Sequence, residues 1–93
     1  MMYATKIKMQ QGCSSSNDTQ VIAEIYIDRC SDPGFYTRAA VHDALVKNPN
    51  SIRVNIQPTY PFLVPATSAN GNKYVRSEPN DTPHDNLLKL PRV

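Results

Sequence analysis

Tryptophan is absent from this chain of 93 residues, and glycine, cysteine and phenylalanine occur only three, two and two times. Each shortage excludes something. Three glycines far apart in sequence cannot form the glycine-rich loop that cradles phosphates in nucleotide-binding folds. Cys13, Cys30, His42 and His84 stand singly, with no Cys-x-x-Cys or His-x-x-x-His spacing. A zinc site needs about four ligands at closed spacing, so neither a metal nor another cofactor is expected. Long apolar runs are missing too. Mean hydropathy is −0.48, and no stretch approaches the roughly 18 apolar residues of a membrane span. Nor does charge of one sign dominate: ten Lys+Arg face eight Asp+Glu, for a net charge of +2. There is no basic or acidic run, so the balance neither demands nor excludes a nucleic-acid partner.

The first eight residues, Met1 to Lys8, hold no apolar stretch of the kind a signal peptide needs, which predicts a cytoplasmic chain. Both cysteines are then expected as free thiols. If residues near Ser16 turn a hairpin that sets Lys8 opposite Glu24, Cys13 and Cys30 fall out of register with each other.

What the chain does contain is enough for one small core. Leu, Ile, Val and Phe number 20, about a fifth of the residues. A domain this short buries only about 60–65% of its unfolded surface. The large barrel and doubly wound enzyme folds need more chain, so residues 1–93 are read as one non-catalytic domain.

Periodicity supplies the elements. Tyr3, Thr5, Ile7 and Met9 alternate with Lys6 and Lys8, predicting a strand over 2–10 with the first set inward. Residues 11–20 are polar and read as a mobile loop. Val21, Ala23, Ile25 and Ile27 give a second, strongly β-prone strand over 21–28. Ser31-Asp32-Pro33-Gly34 is a turn. Thr37 is placed to cap a helix over 38–47, with Ala40, Val41, Ala44 and Leu45 inward and Arg38, His42, Asp43 and Lys47 in water. Pro49 ends it. Ile52, Val54 and Ile56 predict a third strand over 51–57. Pro58, Pro61 and Pro65 then allow only an edge strand or an extended segment. Asn70-Gly71 favours a type I′ hairpin joining residues 63–69 to 72–78. Leu87, Leu88 and Leu90 make the tail 79–93 too apolar to stay in water. The expected fold is α+β: a single antiparallel sheet of four to five strands, in the order β-β-α-β-β-β, with the helix on one face.

The run Asn72-Lys73-Tyr74-Val75-Arg76-Ser77-Glu78-Pro79, followed by Asp85-Asn86-Leu87-Leu88-Lys89-Leu90-Pro91, resembles the C-terminal signature of a family of small bacterial domains, domain-of-unknown-function family 3892. Its members read roughly Lys-Tyr-Leu-Arg-Thr, a Pro-Asp turn, then Asp-Asn-Leu-Leu-Ser-Leu-Pro. The resemblance covers about residues 37–92 and is specific over 72–91. The chain departs from the pattern in the proline-rich piece 58–65 and in the Ser/Asn-rich loop 11–20. The resemblance implies a bacterial or phage origin and carries no activity. Tyr74, Asn86, Leu87, Leu88 and Leu90 are its structural signature, expected to close the core and the turn before it.

Two surfaces could bind something. If the helix covers the Ile7, Ile25 and Val54 face, the opposite face carries Lys6, Lys8, Tyr26 and Arg53, with Arg76 when the closing strand has that parity. Bases stack on aromatic rings and phosphates pair with cations, so such a face can hold single-stranded nucleic acid. Glu24 and Asp28 share it, and Lys8 with Glu24 would be an ordinary cross-strand ion pair. The alternative is the proline-rich edge, where Tyr60 and Phe62 would sit beside unpaired backbone and accept a protein partner. The leading expectation is a protein-interaction module, whether adaptor, inhibitor or homodimer, with nucleic-acid binding as the alternative.

Overall fold

The computed structural model describes residues 2–12, 19–57, 60–78 and 86–93. Among the described residues, six strands, β1 (Met2–Met9), β2 (Ile22–Asp28), β3 (Gly34–Thr37), β4 (Ile52–Val54), β5 (Leu63–Thr67) and β6 (Lys73–Ser77), join one helix, α1 (Arg38–Lys47). Short 3₁₀ turns lie at Thr19–Val21 and Asn86–Lys89. The class is α+β, but the single antiparallel sheet is replaced by two sheets: four strands in the order β3-β2-β1-β4, and the hairpin β5-β6. The larger sheet is mixed. β4 follows the helix and returns parallel to β1, setting Ala4 beside Val54. An isolated antiparallel bridge, Arg53 to Phe62, links the two sheets.

Two irregularities redistribute the strand faces. Lys8 lies opposite Glu24, but Met9 lies opposite Ile22, which leaves Ala23 as an extra residue. Ala4 lies opposite Ile27 while Lys6 lies opposite Tyr26, which leaves Thr5 as an extra residue. Such bulges shift the alternation by one residue. Ile22 is therefore buried where strict alternation placed Ala23, and Ala4 is buried where it placed Tyr3 and Thr5. β3 was absent from the expected order: Gly34–Thr37 reads as turn and cap, yet it pairs with β2, Phe35 opposite Tyr26.

Thr37 ends β3 and caps α1, its Oγ1 accepting the Ala40 N–H at 3.2 Å. At the far end the Asn48 N–H reaches the Ala44 carbonyl at 2.9 Å. The buried helix positions are Val41, His42 and Leu45. His42 was expected in water and Ala40 and Ala44 inside, but the helix is rolled by about one position. The hairpin β5-β6 packs on α1, and Lys73 of β6 reaches Asp43, the neighbour of His42, at 3.0 Å. The hairpin itself departs from type I′. Ser68 N–H bonds to Asn72 O, Gly71 N–H bonds to Ser68 O, and Gly71 has φ +82° while Asn70 is not left-handed. That is a three-residue loop with its positive φ confined to the glycine.

One core serves both sheets. Ala4, Ile7, Ile25 and Ile27 come from β1 and β2, Leu63 and Val75 from the hairpin, and Leu87, Leu88 and Leu90 from the tail. β4 covers only Met2 to Ala4 of β1. Further along, the tail takes the place beside β1: Ile7 N–H donates to Pro91 O at 2.9 Å and Val93 N–H donates to Ile7 O at 3.0 Å. The Ser/Asn-rich segment with Cys13, the residues 79–85 with His84, and the side chain of Asn86 lie outside the described residues.

Candidate nucleic-acid interface

The pairing register fixes what the outer face of the four-stranded sheet displays. Across the strands it places Lys8, Glu24 and Thr37 in one row, Lys6, Tyr26 and Phe35 in the next, and Arg53, Tyr3 and Asp28 in a third. Tyr3 reaches this face because of the Thr5 bulge. Phe35 reaches it because β3 exists. Both were invisible to strict alternation, although the aromatic run Phe35-Tyr36 before Thr37 is a strand signal in its own right.

Cations lie over rings along this face. The Lys6 Nζ is 5.1 Å from the Tyr26 ring centre, and the Lys8 Nζ is 5.9 Å from that of Phe35. The Arg29 guanidinium is 5.1 Å from Tyr3, and the Arg53 guanidinium is 4.1 Å from Phe62. The rings also meet each other edge to face, Tyr26 with Phe35 at 5.2 Å and Tyr3 with Tyr60 at 6.1 Å. Such placements hold long side chains upright over an apolar base while their charge stays in water. Lys8 thus turns to Phe35, and the expected ion pair with Glu24 does not form. Four cations, Lys6, Lys8, Arg29 and Arg53, face two carboxylates, Glu24 and Asp28.

Other sequence candidates fall elsewhere. Arg76 is exposed on β6 and Tyr74 is half-buried beside it, both in the separate hairpin. Tyr60 and Phe62 are half-buried, and the backbone around them, expected to be unpaired, is engaged within the chain. Val54 N–H donates to Pro61 O at 2.7 Å, Phe62 N–H to the Glu78 Oε1 at 2.7 Å, and Glu78 N–H to Phe62 O at 2.9 Å. The Arg53 guanidinium also donates to Tyr60 O at 2.8 Å. Prolines remove donors on this segment, and these backbone groups of its described residues, with the Tyr60 N–H, are paired with Ile56, β4 and Glu78.

On the inner side, an apolar cavity of 270 Å³ opens between α1 and the β2–β3 turn, lined by Ile27, Ala40, Val41, Ala44 and Ile52 among others. Tyr36 stands at its mouth, its hydroxyl donating to the Asp32 carbonyl. Burial pushes the Tyr36 phenol above its usual range, with Cys30 and Asp32 adding to the effect. Cys30 is a free thiol, its Sγ 3.6 Å from the Ile27 carbonyl. Among the described residues, no cluster of His, Cys, Asp and Glu could hold a metal ion, and no helix is long and apolar enough to cross a membrane.

Compared with known proteins, the chain matches one family model, described as a protein of unknown function (DUF3892), over residues 4–91. No curated protein and no solved structure matches it.

Proposed function

The chain belongs to the DUF3892 family, and we propose that this domain is a binding module, not an enzyme, that holds single-stranded nucleic acid on the outer face of its four-stranded sheet. The observation that carries this reading is the ladder of Lys6 over Tyr26, Lys8 over Phe35 and Arg53 over Phe62. Phe35 is exposed and Tyr26 and Phe62 are half-buried; where a cation moves from its ring to a phosphate, the ring offers a stacking surface, each stacked base contributing about 1–3 kcal/mol. The cations beside them lie where a phosphate backbone would pass, and neutralising phosphates releases counterions.

Fluorescence anisotropy with a labelled oligo(dT) of about 12 nucleotides, within the range such platforms cover, tests the reading. Binding should weaken steeply as salt rises, and the Lys6→Ala, Lys8→Ala double variant should bind more weakly with a shallower salt dependence. No detectable binding at about 50 mM salt refutes it.

A protein-interaction role keeps one support. β3 is an edge strand with Phe35 and Tyr36 exposed at 38% and 36%, and its four residues carry no charge or proline to block pairing. Light scattering across a concentration series would show self-association through that edge. A monomer throughout would remove the homodimer version.

A further inference from the structure

At one end of the outer face lies a polar cavity of 180 Å³, lined by Tyr3, Thr5, Asp28, Arg29, Asn55 and Tyr60. We propose that this cavity takes one unstacked guanine from the bound strand, a specificity that rests on the single-strand reading above.

Size comes first. Drug-sized ligands occupy about 300–1,000 Å³; this cavity suits one heterocyclic ring system, with the sugar and phosphate left on the open face. The lining then selects among bases. Asp28 Oδ1 accepts the Arg29 backbone N–H at 2.8 Å, which fixes the carboxylate and leaves most of its acceptor capacity unused. Guanine alone presents two adjacent donors, N1–H and N2–H, on its Watson–Crick edge, and a carboxylate can accept both. Arg29 brings donors suited to guanine O6 or N7, and the Asn55 amide can donate or accept. Tyr3 and Tyr60, edge to face at 6.1 Å, supply the ring surface against which an extruded base stacks.

The backbone here is unusual as well. Among the described residues, three that are not glycine have left-handed φ, and two of them, Arg29 at 59° and Tyr60 at 44°, line this cavity. Such conformations persist where the surroundings hold them, and they gather at ligand sites.

The experiment compares oligo(dT) with the same oligomer carrying one central dG, and titrates the four ribonucleoside monophosphates against the labelled full chain by NMR. One dG should tighten binding about tenfold, and guanosine monophosphate should shift the amides of Asp28, Arg29 and Asn55 more than the other three. Asp28→Asn should abolish the preference while oligo(dT) still binds, and Asn55→Ala should reduce it. Equal affinity for the two oligomers, or a preference that survives Asp28→Asn, overturns the inference while leaving the single-strand reading in place. Binding of guanosine monophosphate without binding of either oligomer does the reverse: it supports the cavity and removes the strand.

Discussion

Lys6 on β1 and Lys73 on β6 are both exposed strand lysines, and the two sheets use them in opposite ways. Lys6 lies over the Tyr26 ring, on a face with three further cations. Lys73 donates at 3.0 Å to Asp43 on α1, so its charge ties the hairpin to the helix. A cation over a ring can still accept a phosphate, whereas a cation paired with a carboxylate is already answered. The larger sheet presents its cations over rings, and the hairpin pairs Lys73 with a carboxylate of the helix.

The comparison assumes that both sheets share one core, and its largest test removes the piece that joins them. Deleting residues 86–93 takes away Leu87, Leu88 and Leu90, which are 0%, 7% and 3% exposed, and both hydrogen bonds to Ile7. Each buried leucine contributes about 1.5–3 kcal/mol, against a total stability of about 5–15 kcal/mol. The truncated chain should be largely unfolded by circular dichroism, and Leu87→Ala alone should cost about 2–5 kcal/mol. A melting temperature unchanged by the deletion would mean that the tail is an appendage, and that each sheet has its own core.

The next test sets the two sheets against each other directly. Lys6→Ala with Lys8→Ala should weaken oligonucleotide binding and lower the salt slope by about one for each phosphate that is no longer neutralised. Lys73→Ala with Arg76→Ala removes the same formal charge from the hairpin and should leave binding nearly unchanged. If both pairs weaken binding equally, the effect is net charge and the ladder of rings has no special part in it.

Much of this contrast was legible in the sequence. Lys6, Lys8, Tyr26 and Arg53 could be assigned to one face because period-two alternation survives in the middle of β1, β2 and β4. The helix start at Thr37 and its end before Pro49 were legible because a capping hydroxyl and a following proline are local signals. What alternation hid was the stretch on the N-terminal side of each bulge. An extra residue at Thr5 or Ala23 leaves no mark in the pattern of apolar residues, yet each moves neighbours to the other face, which is how Tyr3 joined the interface and Ile22 joined the core. The parallel pairing of β4 with β1 was hidden for a different reason. It is set by how α1 packs, and only the tertiary arrangement reveals it. Arg76 was misplaced for the same reason, since its strand belongs to a second sheet.

Gly71 separates the structural role of the hairpin from binding by a smaller amount. Its φ of +82° favours glycine, and a Cβ there would meet nothing within 4 Å. Gly71→Ala should therefore add only the backbone cost of the left-handed conformation, about 1–2 kcal/mol, read as a lower urea midpoint. Oligonucleotide affinity below that midpoint should not change. A loss of affinity would place the hairpin in the interface.

The smallest effect is the pH dependence of the Lys73–Asp43 pair. The hydrogen bond from Lys73, and after it the one from His42, hold the Asp43 carboxyl below its ordinary value. A carboxyl with a lowered folded pKa stabilises the fold fully above its unfolded pKa, and that contribution fades as pH falls through the folded value. Asp43→Asn should thus melt slightly below the wild type at neutral pH. The gap should close in acid, beneath the ordinary carboxylate range, where the wild-type side chain is itself protonated. Asp43 is exposed, so added salt should shrink the gap too. Lys6→Ala should show no such acid-range profile, because the partner of Lys6 is a ring and not a carboxylate. Melting temperatures of the three proteins across a pH series decide the matter. A Lys6→Ala profile that followed Asp43→Asn would show that the outer-face lysines are held by carboxylates after all, and the contrast between the two sheets would fail.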